Sequence, residues 1–453
     1  MLFESFQQLL SYYAANCPQS PALVYDRKGL PSRCSYGELY SAVCKRALEL
    51  EGSGASCMGI ISDGSYDCVV EIFAANMAGL QVVMLDQSLD AGSLCRLLPA
   101  ADVDILWGGG ELRELLEKHL GSGVEDGRDR ILFFTSGTTS MSKAVALSGK
   151  SLCFSAYSGG EMLPLEASDI LMCMLPLAHV FGFVCSLLWP LSSGAAVALG
   201  RGPRHYMDDL NYFKPTVLSA VPSLLGFLLR CRSINSQLRL ILVGAGDCPP
   251  ALLEQASALG IKVSFGYGLT ETSSGVAISV RDDPYAMEIC PGVNISLAPD
   301  GEILIRAPGS MMEGYYRQPE ATAQVLKDGL LYTGDLGRFD SDGKLHITGR
   351  KKEVLVLSDG TKLFLPEYEA AIAKVLGSNE LAVCLRLGRP FLIYSGNADE
   401  QKLREKLKPL MDTYPRGRQL AGIEVISAPL PRTASGKLKR WELDKLLTSE
   451  TGD

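Results

Sequence analysis

The chain has 453 residues, 47% of them apolar and 21% charged, with 43 Lys plus Arg against 51 Asp plus Glu and a formal net charge of −8. That much apolar surface excludes a wholly disordered chain, the length predicts two or three domains, and the acidic balance argues against a nucleic-acid binder. The 13 cysteines include no CxxC pair and the 4 histidines are scattered, so no zinc-type cluster is predicted and the thiols read as small apolar groups in a cytoplasmic protein.

The start, MLFESFQQLLSYYAANCPQ, has neither a basic segment nor a long apolar one, and no signal peptide is expected. Strand and helix patterns then alternate. SRCSYGELYSAVCKRALELEG begins as a strand and becomes an amphipathic helix, MGIISD is a strand, SYDCVVEIFAANMAG is a helix closing at Gly79, and QVVMLD is the next strand. The rhythm recurs through ADVDILWGG, RILFFTS, LRLILVG and IKVSFGYG and predicts a largely parallel α/β sheet.

Residues 170–200 contain no Asp, Glu, Lys or Arg, which is long enough for a bilayer span. Pro176, Gly182, Pro190 and Gly194 divide the stretch, and it reads instead as a strand (171–175), a helix (183–191) and a strand (195–199) of a sheet covered on both faces. From about residue 280, short strands joined by DG turns predict an antiparallel region. After Arg350 the order is strand, helix (366–376), two strands, helix (398–410), strand, loop and a short closing helix. The predicted division is an N-terminal domain over 1–349 and a smaller, mobile α+β domain over 350–453.

The sharpest chemical signal is LFFTSGTTSMSK, residues 132–143. A buried strand runs into a loop with hydroxyls at Ser136, Thr138, Thr139, Ser140 and Ser142, a glycine at Gly137 that lets the backbone approach a ligand, and an ammonium at Lys143. Such a loop suits a polyphosphate, although it is not the GxxxxGK[ST] loop, and a polar surface turn is the competing reading. FGYGLTETS (265–273) puts a flat ring, a hydroxyl and a hard oxygen ligand within five residues, at Tyr267, Thr270 and Glu271. GAGDCP (244–249) is a Gly-rich turn after a strand, and YTGDLGRFDSDGKLHITGRKKE (332–353) is a hairpin whose Asp335 could accept two hydroxyl bonds. PRTASGKLKR (431–440) is a basic loop, and His179 lies inside an apolar run either as a core histidine or as a pocket residue.

In this order the segments resemble the signatures of the adenylate-forming superfamily, which includes acyl-CoA synthetases, luciferases and peptide-synthetase adenylation domains; acyl-CoA synthetases are the most similar. The resemblance implies that Thr135, Ser136, Gly137, Thr138, Thr139 and Lys143 hold the ATP phosphates. It implies that Gly246, Asp247, Tyr267 and Gly268 surround the adenine, that Thr270 contacts the α-phosphate, and that Glu271 ligates Mg²⁺. By the same resemblance Asp335 holds the ribose, Arg350 reaches the nucleotide, Lys352 is the hinge, Lys437 is the mobile catalytic lysine and His179 flanks the acyl site. The chain departs from the pattern at Ser140, Ser142 and Ala144, where Gly, Pro and Gly are usual, and at Phe265, where Asn or Gln is common.

The implied fold is a large region of mainly parallel sheets flanked by helices, with a smaller antiparallel part and a mobile C-terminal domain. The implied reaction joins ATP to a small carboxylic acid, apolar or aryl, as acyl-AMP, and then makes a thioester. The implied cofactors are ATP, Mg²⁺ and CoA, or the phosphopantetheine of a separate acyl carrier protein in place of CoA. No nucleic-acid partner and no membrane span are expected. A carrier-protein ligase, a non-catalytic nucleotide-binding relative and a membrane protein remain the alternatives.

Overall fold

In the computed structural model the described residues are 1–135, 143–246, 248–280, 283–357, 362–386, 388–432, 438, 440 and 443. Among them the strands form five sheets, of nine, six, five, three and two strands. The chain is α/β, as its alternating pattern predicts.

The nine-stranded sheet is parallel at its centre. Lys262–Leu269, Leu240–Val243, Val217–Ala220, Ile170–Cys173, Ala196–Leu199 and Pro21–Arg27 pair in that order, each parallel to the next. Its edges turn antiparallel, through Ser274–Ile278 on one side and Leu30–Ser35 on the other. The central strands are buried along their whole length, which is why Val217–Ala220, Leu240–Val243 and Ala196–Leu199 read as unbroken apolar runs. The six-stranded sheet holds Cys57–Ser62, Gln81–Asp86 and Arg130–Phe134 in parallel pairs. It then reverses, because Ala144–Ser148 returns antiparallel on Arg130–Phe134 and Gly314–Tyr315 adds antiparallel to that. The loop read as phosphate-binding is therefore the connection between two adjacent antiparallel strands.

Local signals set the helix ends. Ser35 and Glu38 close a capping box at the start of Tyr36–Glu51, with bonds of 3.3 Å from the Glu38 N–H to Ser35 Oγ and 2.8 Å from the Ser35 N–H to the Glu38 carboxylate. Helix Tyr66–Met77 starts on Ser65 and is followed by Gly79 at φ +81°, a left-handed position that glycine takes without a Cβ penalty.

The uncharged stretch 170–200 is strand Ile170–Cys173, a continuous helical segment from Val180 to Ser192, and strand Ala196–Leu199. No helix among the described residues is long and apolar enough to cross a membrane. The helical segment widens to a π register over Phe183–Leu188. Pro190 has no N–H to return to the carbonyl of residue 185, and the Ser219 hydroxyl donates to that carbonyl at 2.9 Å instead.

Asn294–Leu297, Glu302–Arg306, Leu326–Lys327, Leu330–Phe339 and Leu345–Arg350 make the antiparallel sheet expected after residue 280. Beyond it lie the pair Val354–Val356 and Lys362–Phe364, helix Leu365–Leu376, a sheet of Leu381–Arg386, Arg389–Ser395 and Gly422–Ile426, and helix Glu400–Met411. Among the described residues no buried apolar cluster draws members from both sides of Arg350: one core ends at Leu345 and the next begins at Leu357. The predicted closing helix lies almost wholly outside the described residues.

Candidate active site

The strand Lys262–Leu269 delivers Tyr267 and Gly268 and runs into the 3₁₀ turn Thr270–Thr272. The Thr272 hydroxyl accepts the Leu269 N–H at 3.1 Å and donates within the turn, so the turn is held by its own side chain. Ser273 and Ser274 follow at φ +53° and +100°, left-handed values that are costly for a serine. The Ser273 hydroxyl donates to the Ser310 carbonyl at 2.8 Å, which holds this conformation from outside. This strain lies directly beside the predicted Thr270 and Glu271.

Across the site, Asp335 on Leu330–Phe339 pairs in register with Arg350 on Leu345–Arg350. Arg350 Nε lies 3.1 Å from one oxygen of Asp335, and the Tyr267 hydroxyl donates to the other at 2.9 Å. Asp335 is only 4% exposed, so this carboxylate is buried with a countercharge and a donor in place. Burial, with the Asp335 charge adding to it, pushes the Tyr267 phenol well above its ordinary range. Tyr267 is therefore a neutral hydrogen-bond donor at any physiological pH.

A second cluster joins Glu271 to Lys143. The Tyr315 hydroxyl donates to Glu271 Oε1 at 2.7 Å, and Lys143 Nζ sits 4.2 Å from the centre of the Tyr315 ring. Tyr315 is placed by its strand, which pairs Tyr315 with Val145 two residues beyond Lys143. The Thr135 N–H in turn bonds the Lys143 carbonyl at 3.0 Å, closing the base of the loop. Burial, and secondarily the Glu271 charge, drives the Tyr315 phenol upward, so it too stays protonated.

His179 Nε2 lies 3.0 Å from Asp86 Oδ2. That hydrogen bond is the main reason the Asp86 carboxyl is held down at about 2. His179 is thus half-exposed and partnered, not an isolated core residue. It lines a cavity of about 270 Å³ together with Tyr267, Gly268, Thr270 and a largely apolar wall that includes Phe181 and Ile278.

Four predicted residues, His179, Tyr267, Gly268 and Thr270, meet at this one cavity. Asp335 and Arg350 join it through Tyr267, and Lys143 is linked to Glu271 through Tyr315. Gly246 does not line the cavity and sits against Pro222; its neighbour Ala245, at φ +62°, lines it instead. Ser136, Gly137, Thr138, Thr139, Asp247 and Lys437 lie outside the described residues. Lys352 falls in the 3₁₀ turn Lys351–Glu353, and its side chain lies outside what the structure describes. Phe265, in place of the usual amide, meets Tyr285 with ring centres 6.1 Å apart, and the Tyr285 hydroxyl donates to the Cys248 carbonyl at 2.9 Å.

Residues 125–316 match the family model described as AMP-binding enzyme. Those residues are an AMP-binding enzyme domain by this match. The 2-succinylbenzoate–CoA ligase of Listeria monocytogenes is 28% identical over 334 residues, 69% of each chain. The indoleacetate–CoA ligase of Aromatoleum aromaticum is 28% identical over 353 residues, 71% of this chain and 68% of that one. The solved structure of the O-succinylbenzoate coenzyme A synthetase of Bacillus subtilis, in complex with ATP and magnesium ion, matches with a TM-score of 0.81 at 24% identity, covering 96% of this chain and 99% of that one.

Two residues of this site escape a reading of the sequence. Tyr315 and Asp86 stand 44 and 93 positions from the residues they hold, Glu271 and His179. Only the pairing of distant strands brings them in. The sole local hint is that Asp86 ends the β-prone run QVVMLD.

Proposed function

We propose that the chain activates an apolar, aryl-type carboxylic acid with ATP as acyl-AMP, and transfers the acyl group to CoA. The observation that carries this reading is the junction of a largely apolar 270 Å³ cavity with the Tyr267–Thr270 segment, where the reacting carboxylate and the α-phosphate would meet. A cavity of about 150 Å³ already holds benzene, so there is room for a substituted ring. In the first step a carboxylate oxygen attacks the α-phosphorus and pyrophosphate leaves. In the second the CoA sulfur attacks the acyl carbon, its proton is lost, and AMP leaves.

Each residue has a role that its surroundings suit. Lys143 and the loop 136–142 take the phosphates, and Tyr315 holds Lys143 in place through its ring. Tyr267 lies along the adenine, Thr270 donates to the α-phosphate, and Asp335 accepts the ribose hydroxyls with the lone pairs that Tyr267 and Arg350 leave. Among the described residues no three His, Cys, Asp or Glu side chains are grouped to hold a metal. That suits Mg²⁺, which is commonly carried by one carboxylate and the substrate's own phosphates; Glu271, with one oxygen fixed by Tyr315, would be that carboxylate. The ion supplies charge neutralisation to the phosphates.

Lys437 adds a cation where charge builds as pyrophosphate departs. It belongs to residues 350–453, read as a domain that turns about Lys352 between the two steps. The separate apolar cores on the two sides of Arg350 support such a division. Lys351, at the joint, is tied back to Asp300 at 2.6 Å and Glu302 at 2.8 Å, which would anchor the fixed side. The 13 cysteines, none of them in a disulfide, suit the cytoplasm, where thiols stay reduced.

The acceptor is tested by product analysis. With an aryl acid, ATP and Mg²⁺, the protein should form an acyl-CoA when CoA is supplied. Thioester on an added phosphopantetheinyl carrier protein but not on CoA would overturn the CoA reading.

A further inference from the structure

The turn PDGE (299–302) leads into strand Glu302–Arg306, and the first side chain of that strand is turned away from solvent. Glu302 is only 7% exposed, and a glutamate is almost never so buried unless it is paired. Its two carboxylate oxygens take donors from two different segments. Oε1 accepts the Gly334 N–H at 2.9 Å, and Oε2 accepts from Lys351 Nζ at 2.8 Å. Lys351 Nζ also lies 2.6 Å from Asp300, which itself accepts the Glu302 N–H at 3.2 Å. The ammonium is thus seated between two carboxylates at the start of one strand.

Each donor stands next to a residue with a proposed role. Gly334 precedes Asp335, the proposed ribose carboxylate, and has φ +72°, a left-handed value that glycine takes without strain. Its neighbour Thr333 donates its hydroxyl to the Ile303 carbonyl at 2.7 Å and accepts the Asp335 N–H at 3.0 Å. The 333–335 turn is therefore fastened to the strand at two successive residues, Glu302 and Ile303. Lys351 precedes Lys352, the proposed hinge, and opens the 3₁₀ turn Lys351–Glu353. A buried ion pair stabilises no more than well-packed apolar side chains would. Stability alone therefore does not account for this carboxylate.

We propose that Glu302 is a positioning residue that couples the nucleotide site to the joint. Through Gly334 it sets the turn that carries Asp335, and through Lys351 it fixes the end of the antiparallel sheet from which the C-terminal domain turns. The coupling works because both bonds draw on one carboxylate. A nucleotide that holds Asp335 also holds Glu302 through Gly334, and a held Glu302 keeps Lys351 seated with Asp300. Rotation then begins at Lys352 and does not peel Lys351 from the sheet. The coupling is reciprocal, so a seated Lys351 also favours nucleotide. This rests on the two-step reaction proposed above and assigns a device to that same site.

Hydrogen exchange read by mass spectrometry follows the joint without turnover. In the wild type MgATP should slow exchange over residues 351–356 by about fivefold or more. The effect should vanish in Lys351→Met and in Glu302→Gln, whose amide offers one oxygen to two donors. Lys351→Met, at a half-exposed side chain, carries the test if the Glu302 variant does not fold. Turnover gives a second readout. Lys351→Met should shift the ratio of acid-dependent pyrophosphate exchange to thioester formation from supplied acyl-AMP by about tenfold, and Lys351→Arg, which can bridge both carboxylates, should restore it. A merely structural bridge would lower both half-reactions together. MgATP that binds but leaves exchange over 351–356 unchanged, or an equal loss of both half-reactions in Lys351→Met, overturns the coupling and leaves the function intact. Protection by MgATP without pyrophosphate exchange by the wild type with any acid overturns the function and leaves the coupling. Failure to bind MgATP overturns both.

Discussion

Tyr315 does two things with one side chain: its hydroxyl fixes Glu271 and its ring face carries the Lys143 ammonium. The two can be separated. Tyr315→Phe keeps the ring and loses the hydrogen bond to a charged oxygen, and it should raise KM for MgATP by about tenfold with an unchanged melting temperature. Tyr315→Leu removes both contacts and should weaken MgATP further; equal values for the two variants would show that the ring–Lys143 contact contributes nothing. His179 and Asp86 offer a test through pH. The Asp86 carboxyl is held at about 2 by His179, below its unfolded value. Its contribution to stability is therefore fully present above the unfolded carboxylate pKa, near 3.9, and is lost as pH falls toward 2. His179→Ala should lower the unfolding free energy by about 1–2 kcal/mol at pH 5, and the gap between variant and wild type should shrink steadily below pH 4. A gap that stays constant with pH would mean the pair is not coupled.

Two glycines on neighbouring strands separate architecture from pocket. A Cβ at Gly268 would collide with the Ser274 carbonyl, at the bulge where Lys262–Leu269 meets Ser274–Ile278, whereas a Cβ at Gly275 meets nothing within 4 Å. Gly268→Ala should cost about 2 kcal/mol or more of stability in urea unfolding. Gly275→Ala should stay within about 0.5 kcal/mol yet raise KM for the acid, because Gly275 lines the cavity proposed to hold it. The opposite ranking would mean that the bulge has room to relax. The same region shows what a sequence can convey. Cys57–Ser62, Gln81–Asp86 and Leu365–Leu376 were legible because their apolar periods and caps are local. Ala144–Ser148 carries no clear strand signal, because its partner strands lie outside its own window and a short AVALS run is equally at home in a helix. Asp335 and Arg350 were legible as a motif, but their shared contact with Tyr267 comes from packing between two sheets.

The residues proposed to meet the nucleotide come from both large sheets and from the antiparallel sheet: Tyr267 and Thr270 line one cavity, and Asp335 and Arg350 join it through Tyr267. Lys437 belongs to the chain beyond Arg350, whose described residues have their own apolar core. This organisation makes the first half-reaction separable from the second. In the proposed reaction nucleotide, acid and Lys437 are all needed to make acyl-AMP, and no thiol is. The decisive measurement is acid-dependent exchange of labelled pyrophosphate into ATP, in the presence of Mg²⁺ and without CoA, for the wild type and for Lys437→Ala. The account predicts exchange by the wild type with aryl acids, none without an acid, and a loss of about a hundredfold or more in Lys437→Ala, which should still bind ATP. No exchange by the wild type with any acid, while calorimetry shows ATP bound, would contradict it and leave a nucleotide-binding protein that does not adenylate.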